Sequence, residues 1–74
     1  MDTIVNIAGY RFVDLPDRDA LQKPFEDVCA GLQLKGTILL SMEGINFFLA
    51  GEQAGIDQFV AYLEKDERFV GIPL

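Results

Sequence analysis

Two layers, an antiparallel sheet against a pair of helices, are what this sequence predicts: an α+β sandwich in a chain of 74 residues. Three observations carry the prediction. Leu34 to Gly51, LKGTILLSMEGINFFLAG, holds two short apolar runs, Thr37 to Met42 and Ile45 to Ala50, separated by Glu43 and Gly44. Runs this short, rich in Ile, Leu, Phe and Thr and bounded by glycines, suit half-buried strands, whereas helices usually need ten or more residues. They read as an antiparallel hairpin. On each side of it lies one amphipathic helical stripe, and outside the stripes lie two extended segments.

In chain order, Ile4 to Val13, IVNIAGYRFV, is a first strand with Val5, Ile7 and Val13 on one face and Ile4, Ala8, Tyr10 and Phe12 on the other. Two apolar faces predict a central place in the sheet. Asp14 to Asp19 supplies acidic residues suited to a helix N-terminus. Leu21, Phe25, Val28, Cys29 and Leu32 then follow at helical spacing. Pro24 is discordant there, because it lacks a donor and clashes with the preceding turn, so a helix starting near Ala20 or restarting at Pro24 is expected, with a first-turn proline or a kink. In the hairpin, Gly44 is the residue suited to positive φ and Asn46 the one suited to brace the turn. Gly51 can cap a second helix with Ile56, Phe59, Val60 and Leu63 on its apolar stripe. Gly71 to Leu74, GIPL, reads as the start of a fourth strand, confined by Pro73 to an edge. The order β, α, β, β, α, β is that of the split βαβ, or ferredoxin-like, sandwich: four antiparallel strands with both helices on one face.

Composition removes several functions. Twelve acids against six bases give a formal charge of −6, which repels a phosphate backbone and argues against autonomous nucleic-acid binding. One cysteine excludes an intrachain disulfide and a multi-cysteine zinc site, and predicts a reducing, cytoplasmic setting. No histidine is present to act as a general base or metal ligand. No apolar run approaches the ~18 residues of a membrane span.

Individual residues give little chemistry. Cys29 lies on the first helix's apolar stripe, where a structural thiol is expected rather than an activated one. Asp14, Asp17 and Asp19 lack the glycine and terminal glutamate of a calcium loop, so helix capping is the simpler role. Acylphosphatases share the element order, but they follow the first strand with a glycine-rich, arginine-bearing phosphate cradle. Here that loop is DLPDRD, acidic where the anion would sit, with only Arg18 as a candidate. Glu43 has no carboxylate partner nearby in sequence for acid–base work.

The hairpin segment KGTILLSMEGINFFLAG resembles a pattern, G-(R/T)-I-L-L-x-x-E-G-I-N-x-x-(I/L)-A-G, of the rhodanese-related tRNA uridine hydroxylases. IVNIAGYRFVDL is similar to that family's opening strand, and GIDQFVAYLEKDERF to its second helix and exit. The resemblance implies an acylphosphatase-like N-terminal domain of a longer protein that continues into a rhodanese domain. It also implies, for that longer protein, hydroxylation of uridine(34) of certain tRNAs with molecular oxygen. Cys29 does not match the rhodanese cysteine in position or context, so no catalytic residue and no cofactor is implied for these residues. Ending inside an expected strand, the chain reads as a fragment whose role is to dock on the rhodanese domain, or to help hold tRNA together with it. The contact residues implied are the hairpin tip, Glu43, Gly44, Ile45 and Asn46, or the sheet face carrying Tyr10. A free-standing binding module and the N-terminal domain of a thiosulfate-type sulfurtransferase are the alternatives.

Overall fold

The computed structural model describes residues 3–74. In order come β1 (Ile4–Phe12), α1 (Arg18–Gly31), β2 (Lys35–Ser41), β3 (Gly44–Glu52), α2 (Gln53–Leu63) and a 3-10 turn, Glu67–Phe69. β3 is the middle strand, paired antiparallel with β1 on one side and β2 on the other. Ile45, Phe47 and Leu49 of β3 are buried while Asn46 and Phe48 are exposed, so the two-residue period gives the sheet a core face and an outer face. The helices close the core face. Phe25 and Cys29 of α1, and Ile56, Phe59 and Leu63 of α2, are buried against it, as their stripes require. At the centre the Phe47 ring meets the Phe59 ring edge-on at 5.5 Å, and Phe25 meets Phe69 at 6.0 Å.

The sheet has three strands among the described residues, not four. Gly71 turns to φ 77° and Pro73 has no N–H to donate, so Gly71–Leu74 forms no ladder. The segment nevertheless tracks β1: the Arg11 guanidinium donates to the Val70 carbonyl at 2.9 Å, and Ile72 is buried beside Gly9. β1 therefore lies at an edge rather than in the centre. Its second apolar face is not covered by helices but faces solvent.

Four local expectations shift. α1 begins at Arg18, which puts Pro24 inside the helix on its exposed side instead of in the first turn. β3 runs through Gly51, so Glu52 and not Gly51 occupies the N-cap of α2. The hairpin turn is Met42–Glu43, one residue earlier than the Glu43–Gly44 break in the apolar pattern. Its brace is Ser41, whose hydroxyl accepts from the Glu43 amide at 3.2 Å, and not Asn46.

Asp17 occupies the N-cap position of α1 without a side-chain capping bond. Its carboxylate instead accepts both Arg68 guanidinium nitrogens, at 2.7 and 3.1 Å, while Asp66 accepts from the same guanidinium. Hydrogen bonds from Arg68 hold both carboxyls below their ordinary range. A carboxyl with a depressed folded value stabilises the fold above its unfolded value, and that contribution is lost as pH falls through the folded value. Arg68→Ala is thus expected to lower the thermal midpoint at neutral pH, and the gap to the parent chain should close below about pH 4. Melting curves followed by circular dichroism from pH 7 to pH 2 check this; a gap that stays constant to pH 2 would leave the ion pairs without a stabilising role.

Candidate functional site

The outer face of the sheet is the surface the helices leave open. Ile4, Tyr10 and Phe12 from β1, Leu39 from β2 and Phe48 from β3 project from it, each between 59% and 82% exposed. Tyr10 and Phe12 stack edge-on at 5.6 Å. Register sets Tyr10 and Leu39 on either side of Asn46, and Ala8 and Thr37 on either side of Phe48. Charge is sparse here: by strand alternation, Lys35 and Glu52 at one end are the only ionic residues of the strands on this face. Most of the acids sit on the helices and connecting loops.

At the turn end the face dips into a cleft of about 400 Å³. Tyr10, Glu43, Gly44, Ile45 and Asn46, the five residues singled out from the sequence, all border it, together with Arg11, Phe12, Leu39 and Ser41. They do not contribute alike. Asn46 is exposed between Tyr10 and Leu39, and Glu43 stands in the turn at the rim, whereas the Ile45 side chain is buried on the core side. Gly44 is buried with φ 152°, and a β-carbon there would collide with the Arg11 carbonyl oxygen. That close approach holds the tip against β1. Phe12, Leu39 and Phe48 were not picked out from sequence, although the strict alternation of β1 already places Ile4, Tyr10 and Phe12 together, and two helices can cover only one face.

Elsewhere the groups with reactive potential are engaged. The Cys29 thiol is buried and its pKa is pushed up by that burial, the opposite of an activated thiolate. In the loop after β1, the amides of Val13, Leu15 and Arg18 donate to the carbonyls of Glu43, Met42 and Leu15. They do not converge on an anion, and Arg18 lies beside Asp19 at 3.5 Å. The N-cap residues of the two helices are Asp17 and Glu52, carboxylates at the ends where an anion would otherwise be favoured. Among the described residues no group of three His, Cys, Asp or Glu could hold a metal ion, and no helix is long and apolar enough to cross a membrane.

Comparison with known proteins agrees with the hairpin resemblance. The profile of the UPF0176 acylphosphatase like domain matches residues 4–74. A tRNA uridine(34) hydroxylase of Cupriavidus pinatubonensis is 52% identical over 69 residues, 93% of this chain and 24% of that protein. Proteins of the same name from Thiobacillus denitrificans and Bordetella avium are 53% and 51% identical, each over 70 residues, and the match spans 28% and 29% of their lengths. The chain thus spans about a quarter of the curated relatives it matches.

Proposed function

Because this chain belongs to the family of UPF0176 acylphosphatase-like domains, we propose that it is the non-catalytic N-terminal domain of a tRNA uridine(34) hydroxylase, and that its outer sheet face docks on the rest of that polypeptide. The observation that carries this reading is an apolar, nearly uncharged sheet face in a chain with an excess of six acids. A tRNA surface would call for Lys and Arg. A protein surface calls for exposed aromatic and aliphatic groups with a polar rim, which is what Tyr10, Phe12, Leu39 and Phe48 present, with Asn46 and Glu43 at the cleft. The occupant is the remaining three-quarters of a relative-length chain, and by the hairpin resemblance it is the rhodanese domain. The acylphosphatase-like label describes fold here, since the loop after β1, DLPDRD, carries three acids against one arginine where a phosphate would need positive charge. In this reading the domain holds no cofactor, works in the cytoplasm, and touches tRNA only together with its neighbour.

The test is a Tyr10→Ser, Phe12→Ser, Phe48→Ser variant of the full-length protein. Exposed side chains leave the domain folded, so its circular dichroism should be unchanged. Tryptic cleavage between the domains should accelerate and uridine hydroxylation should fall at least tenfold, about 1.4 kcal/mol of lost organisation. Unchanged cleavage and unchanged hydroxylation would remove the docking role. Tight binding of a substrate tRNA by these 74 residues alone, at physiological salt, would move the role to RNA holding instead.

A further inference from the structure

Strand register leaves a gap in the outer face at its hairpin end. By pairing and alternation, Phe12, Gly44 and Ser41 form the last row of that face, and Tyr10, Asn46 and Leu39 the row behind it. The middle position of the last row carries no side chain, so the cleft of about 400 Å³ opens there. The turn stands at its rim with the backbone of Glu43 held on both sides. Its amide donates to the Ser41 hydroxyl at 3.2 Å, and its carbonyl accepts from the Val13 amide at 3.0 Å. The Glu43 side chain itself is exposed, and among the described residues the ion pairs engage Arg18, Lys23 and Arg68, none of them reaching Glu43. Arg11 borders the same cleft, but by alternation its side chain leaves β1 on the other face, where the guanidinium donates to the Val70 carbonyl at 2.9 Å. The charge left unmatched at the cleft is therefore negative.

An apolar side chain seated here would cover the Glu43 carboxylate without giving it a partner, which is costly. A lysine ammonium would answer the charge alone. A guanidinium answers the whole lining: its plane lies on an aromatic face, two of its N–H groups pair with one carboxylate, and others reach an amide oxygen. The cleft offers one of each, in the edge-on Tyr10–Phe12 rings, Glu43 and Asn46. Arginine is also enriched among the few side chains that anchor protein interfaces. We propose that the hairpin-tip cleft is an arginine-receiving pocket, filled by an arginine from the polypeptide beyond Leu74 in a protein of the relatives' length, stacked on the Tyr10–Phe12 pair and paired with Glu43. The proposal rests on the docking reading above and adds to it the chemistry of the partner's anchor.

Phenylglyoxal labelling of arginines in the full-length protein, with the adducts located by mass spectrometry, tests it. One arginine beyond Leu74 should be protected in the parent and react roughly tenfold faster in Glu43→Gln, as one charge-assisted pair is lost. That variant keeps the size of an exposed turn side chain, so its melting midpoint should match the parent's. A second variant, Tyr10→Leu with Phe12→Leu, keeps apolar surface but removes both ring faces, and should unmask the same arginine. The proposal is overturned if no arginine beyond Leu74 responds to either variant, if a lysine responds in its place, or if protection requires tRNA. Protection that fades on dilution also overturns it, by assigning the arginine to a second copy. Failure of the docking reading looks different. There the serine variant leaves interdomain cleavage unchanged, whereas a docking surface without an arginine pocket shows faster cleavage in the serine variant and no arginine unmasked by Glu43→Gln.

Discussion

Phe47→Ala is expected to remove a large share of the isolated chain's stability. Phe47 is fully buried on the middle strand, against the Phe59 ring and over Gly9, where a β-carbon would come within 2.7 Å of its ring. Truncating a buried Phe to Ala removes transfer free energy and leaves a cavity, together about 3–5 kcal/mol. At roughly 0.05–0.15 kcal/mol per residue, a chain this size holds about 4–11 kcal/mol in total. The loss therefore takes a large share of what exists. Urea denaturation followed by circular dichroism should show the midpoint falling towards zero denaturant. Phe48→Ala is the matched control: one residue away, on the outer face, it should move the midpoint little. If the two variants melt alike, the assignment of faces on β3 is wrong.

Gly44→Val is expected to have the second-largest effect, and for a different reason. No side-chain contact is lost, but a valine would need φ 152° and would place its β-carbon on the Arg11 carbonyl oxygen. Holding a side-chain-bearing residue in such backbone costs about 1–3 kcal/mol before the collision is counted. Because the blocking atom belongs to backbone, relief requires β1 to move away from the hairpin tip, and the cleft bordered by Tyr10 and Asn46 opens with it. Gly31→Ala gives the opposite sign. Gly31 ends α1 with open space around it, so alanine there should raise stability by about 0.5–1 kcal/mol. Denaturation midpoints of the two variants, displaced in opposite directions, check both statements at once.

What the sequence reveals about this molecule is set by how local each determinant is. The stripes Phe25–Cys29 and Ile56–Phe59–Leu63 lie within single helices, and the alternation Ile45, Phe47, Leu49 within one strand, so periodicity alone locates them. Asp17 reads as a cap because its neighbours make a helix start; its actual partner, Arg68, is 51 residues away, and no local pattern reports it. Gly44 is conspicuous as a glycine, yet the carbonyl that demands it belongs to Arg11 across the ladder. The turn is offset by one residue because Ser41, polar and small, looks like strand and serves as the brace. For β1, two apolar faces could mean burial on both sides or burial on one and exposure on the other. Periodicity is the same in both cases, and the exposed case is the one with a surface for a partner. The five candidate residues were placed by resemblance; the structure adds Phe12, Leu39 and Phe48 to the same patch, and takes the Ile45 side chain out of it.

Arg68 has a consequence for association as well as for stability. By tying the 3-10 turn to the start of α1 through Asp17, it fixes where the chain leaves α2, and Ile72 then pins the exit beside β1. On the proposed reading, a segment continuing from there would be tethered close to the surface it docks on. Tethering by a short linker corresponds to an effective concentration in the millimolar range. Contacts too weak to join two separate molecules would then be saturated within one. On the proposed reading, the outer face can stay modest in area and in affinity, opening and closing readily while still spending most of its time covered.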